Sequence, residues 1–272
     1  MGGALQSPLP AERHRRIEDV LRERHTVRVS TLSDLLGVSE VTIRRDLELL
    51  EQRGILERTH GGAVGTHRMG SEPTYTDALA TRRVEKTLIG ERAAALVAPG
   101  DTIFLNGGTT TLEVFRHLAA PRTKVITNHA AIAYESDDKS GLGVEVVVLG
   151  GQFRSSSRSM VGPMTRQAIG TVYANKAFLG VEGISLRYGL TTPSAAEAEI
   201  ARLMIERTAG DVIVVADHSK LGTVADFVIG DLEQIRCLVI DAIGEEYEQG
   251  LIAAQVDVVR PTDGDSRAAE GA

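Results

Sequence analysis

The chain has 272 residues, of which 42% are hydrophobic and 25% charged, ordinary values for one large or two modest globular domains. No apolar run approaches the roughly 18 residues of a membrane span, and the opening MGGALQSPLP lacks the basic and apolar blocks of a secretory signal. A single cysteine, Cys237, excludes an intrachain disulfide. We therefore expect a soluble cytoplasmic protein with no membrane partner.

The net charge of −7 disfavours a nucleic-acid partner for the chain as a whole. Its distribution weakens that objection, because residues 1–66 contain ten Arg and ten Asp or Glu and so sum to zero. The remaining residues carry the entire negative charge. A small N-terminal domain that gathers its arginines on one face can still present a basic surface.

Residues 12–66 predict a DNA-binding domain made of three short helices and a β-hairpin. The segment EVTIRRDLELLEQR has an N-cap at Ser39, and Ile43, Leu47 and Leu50 form its inner face at helical spacing. Two short strands then surround a turn at residues 60–62. Helix, turn, capped helix and hairpin in this order are typical of a winged helix-turn-helix.

The face of the last helix opposite this inner stripe predicts contacts with the major groove of double-stranded operator DNA. Arginine reads guanine edges there, and threonine contacts thymine methyls or phosphates. The alternative is a solvated helix face on which the arginines pair with acids such as Glu48. The predicted DNA-binding residues are Ser39, Glu40, Thr42, Arg44 and Arg45 on the helix, with Arg58 and His60 on the wing.

Residues 67–80 lose periodicity and contain Gly, Pro and Ser, so we predict a linker, with a helical pattern from about Ala78 to Val97. Residues 81–260 then alternate apolar strand-like runs with helical segments. Val- and Ile-rich runs with little polar alternation suit a sheet that is covered on both faces. The predicted fold is therefore α/β, with a mostly parallel sheet. The predicted strands are TIFLN, KVITN, VEVVVLGG, KAFLGV, DVIVVAD, DFVIG, CLVIDA and VDVV.

Polar or glycine-containing turns follow five of these strands, and ligands of open α/β sheets gather at the carboxyl ends of strands. Hydroxyls, backbone amides, an Arg and a Lys can neutralise a phosphate, while amide and carboxylate side chains bind sugar hydroxyls. The sequence therefore predicts a site for a phosphorylated sugar or polyol. The alternative for GGTTT is a tight turn with a threonine cap. The residues at these turns are Asn106, Gly107, Gly108, Thr109, Thr110, Thr111, Asn128, Arg154, Glu182, Gly183 and Lys220.

Other ligand classes lack their motifs. No G-x-G-x-x-G opens a helix, and no G-x-x-x-x-G-K-[ST] is present, which argues against a dinucleotide and an NTPase site. The seven histidines are scattered and no cysteine cluster exists, so no metal site and no cofactor are predicted.

The segment VSEVTIRRDLELLEQRGILERTHGGAV closely resembles the N-terminal domain of the DeoR/GlpR family of bacterial regulators of sugar metabolism. The blocks NGGTTT, TN, LGGQFR, VGP, AFLGVEGIS, GLTTPSAAEAE and VADHSKLG resemble, in order, that family's effector domain. The family's effector domain is similar in fold to sugar-phosphate isomerases of the ribose-5-phosphate type. The resemblance implies a homo-oligomeric repressor, a dimer or tetramer, that a phosphorylated sugar or related intermediate releases from its operator.

The same resemblance assigns roles to single residues. It implies that Gly108, Thr109 and Thr110 bind the phosphate and that Lys220 is a charged contact. Asn128, Arg154, Glu182 and Gly183 would line the rest of the pocket, and Glu197 falls in the family's acidic block.

Three positions depart from the family pattern. Asn106-Gly107 stands where the family usually has Asp-Ser, Glu182 where it commonly has Asp or a small residue, and Asn175 where it often has Asp. Each departure is expected to alter the charge or length of the pocket. The identity of the effector therefore does not follow from the family.

Two alternatives to a repressor remain at this point. An isomerase-like enzyme with an appended DNA-binding domain would need a base beside the substrate carbonyl, a role open to Glu182 or Asp217 by residue type. Against it stands the winged helix-turn-helix, which an enzyme does not need, so no catalytic residue is predicted. A transcriptional activator is the second alternative, and the sequence does not separate activation from repression.

Overall fold

The computed structural model describes residues 9–24, 26–59 and 61–261. Within these ranges the chain forms a small N-terminal helical unit with a three-stranded sheet, followed by a larger unit built on a parallel sheet. Among the residues described, no helix combines the length and the apolarity needed to cross a bilayer.

The N-terminal unit contains three helices and an antiparallel sheet in the order β1-β3-β2. Its elements are α1 (Pro10–Arg24), β1 (Thr26–Arg28), α2 (Val29–Leu36), α3 (Glu40–Gln52), β2 (Leu56–Arg58) and β3 (Gly62–Gly65). Strands β2 and β3 form the predicted hairpin, so the winged helix-turn-helix is confirmed. Strand β1 adds the third strand of this sheet.

The core of this unit follows from helical periodicity. Ile43, Leu47 and Leu50 of α3 are at most 1% exposed and pack against apolar residues of α1 and α2. Gly37 ends α2 in the left-handed region at φ 64°, a conformation that glycine adopts without steric cost. The sharp turn then leads into α3, as a helix-turn-helix requires.

Residues 67–80, predicted to be a linker, contain two elements. These are β4 (His67–Arg68) and α4 (Tyr75–Ala80), and β4 pairs in parallel with a strand of the larger unit. The predicted helix over 78–97 is wrong as a single element, because α5 (Arg83–Ala94) is separated from α4 by a break at Arg82, φ 50°. The ammonium group of Lys86 donates to the carbonyls of Ala78 and Thr81 at this break. The limits of the domains stay a prediction.

The larger unit alternates strands and helices from residue 102 onward. Its strands are β5 (Thr102–Leu105), β6 (Lys124–Thr127), β7 (Glu145–Val148), β8 (Gln152–Arg154), β9 (Ser159–Val161), β10 (Ala174–Gly180), β11 (Gly183–Ser185), β12 (Gly189–Thr192), β13 (Thr208–Val215), β14 (Thr223–Val224), β15 (Phe227–Gly230), β16 (Cys237–Val239) and β17 (Asp257–Val259). Its helices after α5 are α6 (Thr109–His117), α7 (Ala130–Glu135), α8 (Pro163–Ile169), α9 (Ala195–Glu206) and α10 (Glu245–Ala253).

Seven strands form one parallel sheet in the order β17-β16-β13-β10-β5-β6-β7. Buried apolar clusters cover both faces of its inner strands, which explains why β5, β6 and β16 are continuous apolar runs, whereas the edge strand β7 is largely exposed. The predicted α/β fold with a mostly parallel sheet is confirmed. One predicted strand, DFVIG, lies instead in β15 of a separate antiparallel sheet, β11-β12-β15.

The wing of the N-terminal unit touches the hairpin β11–β12. Glu57 of β2 is 3% exposed and accepts hydrogen bonds from the Ser185 hydroxyl and, at 2.8 Å, from the Leu186 backbone N–H. Burial raises the pKa of the Glu57 carboxyl, against the opposing effect of these hydrogen bonds. The two units therefore share a buried polar contact besides the strand pair β4–β14.

Candidate functional site

Helix α3 places the predicted DNA-contacting side chains on its outer face. The hydroxyl of Ser39 accepts a hydrogen bond from Thr42 N at 3.3 Å, so Ser39 caps the helix as predicted. Arg44 and Arg45 are exposed, and an Arg44 guanidinium nitrogen lies 2.6 Å from a Glu40 carboxylate oxygen one turn earlier. An exposed pair of this kind contributes little to stability, so the guanidinium can exchange the carboxylate for a base or a phosphate.

The wing contributes one described residue to this surface. Arg58 lies in β2, its side chain is 41% exposed, and its guanidinium is 4.0 Å from the Glu51 carboxylate. His60, also predicted to contact DNA, lies outside the described residues. The DNA-contact roles of all seven residues stay predictions.

A buried ion pair that the sequence analysis missed fixes α3 against α1. Asp46 is 4% exposed and accepts hydrogen bonds from the Arg13 guanidinium and, at 2.9 Å, from His14 Nε2. Burial opposes ionisation of Asp46, but the hydrogen bonds from Arg13 and His14 outweigh it and lower the Asp46 pKa. This pair sets the orientation of the helix that carries Arg44.

A pocket opens in the larger unit at the point where the order of the parallel sheet reverses, between β5 and β10. From β5 the chain proceeds through β6 and β7 to one edge, while β10, β13, β16 and β17 extend to the other. Open α/β sheets bind ligands at such a reversal, beyond the carboxyl ends of the strands. The space between its walls, including the open mouth, is about 670 Å³.

Helix α6 points its N-terminus into this pocket. Its N-cap is Gly108, so no side chain caps the backbone N–H groups of the first turn, and such groups attract anions. Thr109 lines the pocket and is 9% exposed. Thr111 is fully buried, and its hydroxyl donates to the carbonyls of Asn106 and Gly108 at 2.8 and 2.9 Å. Thr111 therefore braces the turn.

Two asparagines hold the turn against neighbouring strands. The Asn106 side chain donates to the Gly180 carbonyl at 2.9 Å and accepts from the Gly180 N–H at 2.8 Å, bridging β5 and β10. Asn128 accepts from the Gly107 N–H at 2.9 Å and donates to the Met160 carbonyl at 2.8 Å. Both amides line the pocket while their polar groups bind backbone.

The charged side chains predicted for the site pair with one another. Lys220 donates to Glu182, a pocket-lining residue. Arg154 lies 3.5 Å from Glu197 and binds Glu72, and both carboxylates belong to the pocket wall. The three carboxylates thus line one pocket, and Arg154 and Lys220, which are not themselves lining residues, contact it through these carboxylates.

Some predicted residues lie apart from the pocket lining. Thr110 follows Thr109 on α6 and is 8% exposed, and Gly183 of β11 packs with no room for a side chain beside the Thr223 carbonyl. Asn175, the third departure from the family pattern, sits near the amino end of β10 and accepts from the Thr102 N–H at 2.7 Å. The expectation that Asn175 alters the pocket is wrong, because the pocket lies at the carboxyl end of that strand. The binding roles of the predicted residues stay predictions.

The structure adds pocket residues that the sequence analysis missed, chiefly from the segment predicted to be a linker. Glu72, Pro73 and Tyr75 form one wall, together with Ser156 and Ser157 from the β8–β9 turn. A signal was present in the sequence, because Thr74 and Asp77 have the spacing of a helix cap, and Thr74 does cap α4.

Behind this wall lie buried polar groups that have no hydrogen-bond partner among the described residues. They are the Tyr75 hydroxyl and both ring nitrogens of His129, whose rings meet edge to face at 5.6 Å. Burial lowers the pKa of His129 to about 4, so its ring is neutral at physiological pH. The Arg158 guanidinium stacks over the Tyr75 ring at 4.6 Å.

Comparison with known proteins matches both units. The DeoR-like helix-turn-helix domain matches residues 13–68, and the DeoR C terminal sensor domain matches residues 81–242. The HTH-type transcriptional regulator GlpR of Haloferax volcanii is 37% identical over 92% of this chain and 98% of its own. A putative aga operon transcriptional repressor of Escherichia coli O157:H7 is 34% identical over 92% of this chain and 93% of its own.

Among solved structures, ribose 5-phosphate isomerase A of Methanocaldococcus jannaschii is 15% identical, with a TM-score of 0.38 over 52% of this chain and 55% of its own.

A winged helix-turn-helix joined to a sensor domain defines a DNA-binding transcriptional regulator with a ligand-responsive domain. The two relatives named above are transcriptional regulators as well. The chain belongs to the DeoR family, as its sequence motifs predicted.

Proposed function

We propose that this regulator represses a carbohydrate-metabolism operon and that a phosphorylated sugar, bound in the pocket between β5 and β10, releases it from its operator. The observation that carries the proposal is the position of the α6 N-terminus. Its uncapped amides face a pocket at the reversal of the parallel sheet, beside asparagines and carboxylates suited to hydroxyl groups. One relative is a putative aga operon transcriptional repressor, which supports a role as the repressor of an operon.

The regulator binds its operator as a homodimer or homotetramer in this proposal. Each chain has one helix-turn-helix, and such domains ordinarily read two half-sites through a symmetric oligomer. Size-exclusion chromatography with light scattering measures the oligomer, and a monomer on operator DNA would contradict this part of the proposal.

We also propose that the pocket senses its ligand without converting it. Asp217 is 2% exposed and its pKa is lowered, because hydrogen bonds from Ser219 and the charges of Lys220 and Arg82 outweigh the effect of burial. A carboxylate with a lowered pKa is a weak base. Glu182, the other carboxylate considered as a base, is engaged by Lys220. Turnover of ribose 5-phosphate at an enzymatic rate would contradict this reading.

The DNA-binding part is tested by gel shift against the upstream region of the chain's own gene. A complex that weakens steeply with salt is expected, since Arg side chains replace counterions on the phosphates. Arg44→Ala should lose about 1–3 kcal/mol of operator binding and relax specificity at one base pair. Unchanged binding by this variant would make Arg44 an ordinary surface residue.

The sensing part is tested by a thermal-shift screen of phosphorylated sugars, in which a ligand at 100 times its Kd adds about 2.7 kcal/mol of stability. A compound that binds should release the operator complex. The double variant Thr109→Ala, Lys220→Ala should still bind the operator but resist release. A normal response by this variant would refute the assignment of the site. If a compound that binds strengthens the operator complex instead of releasing it, the compound acts as a corepressor. Rising transcription from the operator on binding of the regulator would indicate an activator.

A further inference from the structure

Glu72, which lines the pocket, forms an ion pair with Arg154, which is not itself a lining residue. One guanidinium nitrogen of Arg154, Nη2, lies 2.6 Å from each of the two Glu72 carboxylate oxygens and 2.8 Å from the Ser156 hydroxyl. Both side chains of the pair are 26% exposed, so solvent and ligands reach them. A guanidinium that binds a carboxylate in this way presents the same donors to a phosphate.

Arg154 and Lys220 are already paired with carboxylates of the pocket wall. Lys220 pairs with Glu182, while Arg154 lies between Glu72 and Glu197. At Arg154, two carboxylates therefore face one guanidinium. A phosphate monoester, which brings close to two further negative charges, meets a site that repels it unless one carboxylate leaves.

Of the two carboxylates at Arg154, Glu72 has the less constrained backbone. Glu197 lies in the first turn of α9, where Ser194 caps its N–H, and it also accepts from the Ser159 hydroxyl at 2.7 Å. Glu72 belongs instead to a short irregular bridge, residues 70–73, between β4 and α4, which has no helix or strand of its own. Its neighbours Gly70 and Ser71 are exposed.

The bridge is anchored at both ends. At one end Met69 N donates to the Val224 carbonyl at 2.9 Å, next to the strand pair β4–β14. At the other end Thr74 caps α4, whose first residue, Tyr75, is buried against His129. Because the flanking elements are held by their own contacts, a shift of the bridge does not require them to unfold. The bridge lies on the chain segment that leads from the DNA-binding domain into the sensor domain.

We infer that Glu72 occupies the anion position on Arg154 and that a dianionic phosphate monoester must displace it to bind. Glu72 is thus a specificity-determining residue, because an occupant without enough negative charge does not outcompete it for the guanidinium. Displacement frees the bridge of residues 70–73 and so changes the connection to the DNA-binding domain. This inference rests on the proposed function, since it takes the pocket to be a phosphate site.

The test uses the full-length chain, inorganic phosphate as the probe and 31P NMR titration as the measurement. Glu72→Gln keeps the size of the side chain and removes its charge, so phosphate should bind about two- to fivefold more tightly than to the wild type, as for the loss of a partly exposed ion pair. Glu199→Gln is the matched control, because Glu199 pairs with Arg166 at 3.1 Å outside the pocket lining, and it should bind phosphate as the wild type does. Adding Arg154→Gln to Glu72→Gln should abolish the gain.

The outcomes separate the inference from the proposed function. Equal binding of phosphate to the wild type and to Glu72→Gln overturns the role of Glu72 while leaving the phosphate site in place. A gain that survives Arg154→Gln overturns it as well, because Glu72 would then act through another group. Binding of phosphate to neither protein overturns both the inference and the phosphate site.

Hydrogen exchange of a peptide that covers residues 69–77 supplies a second readout. Saturating phosphate should speed exchange of this peptide in the wild type, and Glu72→Gln should show the faster exchange without phosphate. Slower exchange on adding phosphate to the wild type would mean that the bridge closes over the anion, which overturns displacement. Circular dichroism confirms that each variant is folded.

Discussion

The buried pair of Asp46 and Arg13 makes a quantitative prediction about the DNA-binding domain. In Asp46→Ala the Arg13 guanidinium loses a carboxylate to which it is joined by two hydrogen bonds, and His14 loses its partner at 2.9 Å. The side chains of Asp46 and Arg13 are only 5% and 9% exposed, so water does not replace the lost acceptor without rearrangement. Removing one partner of a buried pair costs about 3–5 kcal/mol.

The exposed pair of Glu40 and Arg44 provides a control within the same domain. Its atoms are 2.6 Å apart, yet the side chains are 45% and 57% exposed. Exposed pairs one helical turn apart contribute about 0.3–0.5 kcal/mol, so Glu40→Ala should change stability by less than about 1 kcal/mol. Burial, and not the length of the contact, therefore decides the difference between the two variants.

Urea denaturation followed by circular dichroism measures the two free energies of unfolding, and a gel shift measures the consequence for operator binding. Asp46→Ala should lose both stability and DNA binding, because Asp46 orients α3 against α1. A loss of stability below about 1 kcal/mol, no larger than that of Glu40→Ala, would refute the argument from burial.

The same pair predicts a pH dependence. The pKa of Asp46 is lowered in the folded chain, so the unfolded chain binds more protons in the acidic range. The stability contributed by the pair is thus fully present above the ordinary pKa of an aspartate and is lost as the pH falls through the lowered value. In Asp46→Asn, the free energy of unfolding should therefore fall less steeply as the pH is lowered through the acidic range.

Two further variants probe the sensor domain. In Gly107→Ala the added Cβ would lie 2.6 Å from the Ser159 Cβ and push the turn before α6 out of place. This variant should therefore bind phosphate more weakly and lose about 1–3 kcal/mol of stability. Isothermal titration and urea denaturation measure the two effects, and wild-type values would show that the turn tolerates the added methyl group. Burial lowers the His129 pKa to about 4, so on acidification the unfolded chain takes up this proton before the folded chain does. The wild type should therefore lose stability between neutral pH and pH 4, by an amount that approaches about 3 kcal/mol, and His129→Phe should remove this loss. Denaturation curves of both proteins at pH 7 and 4.5 check this, and an equally large loss in the variant would assign the acid destabilisation to other groups.

The elements that could be predicted from the sequence are those whose pattern is local. Helix α3 shows its buried face at helical spacing through Ile43, Leu47 and Leu50, and its start through Ser39. Each predicted strand of the larger unit is a strand. Inner strands such as β5 and β6 show it most directly, because burial on both faces requires a continuous apolar run. The sheet to which DFVIG belongs could not be read in this way, since a short apolar run does not specify its neighbour.

Long-range polar contacts could not be predicted. Asp46 pairs with a residue 33 positions away, and Glu57 accepts from a hydroxyl 128 positions away, so neither contact leaves a trace in local periodicity. For the same reason, the sequence around Glu72 indicates only a linker. Its position is imposed by Arg154, 82 residues later, and by β14, and not by any pattern of its own.

The departure at Asn106-Gly107 has a structural cause besides any effect on the ligand. The Asn106 amide both donates to and accepts from Gly180, and an aspartate could accept from the Gly180 N–H but could not donate to its carbonyl. At position 107 the Ser159 side chain occupies the space that any Cβ would need. The pair is therefore matched to Gly180 and Ser159, so this turn carries a neutral amide where the family pattern places a carboxylate. An uncharged turn at the α6 N-terminus leaves the helix dipole unopposed, which favours an anionic ligand. Discrimination between different anionic ligands then depends on the charged side chains that surround the pocket.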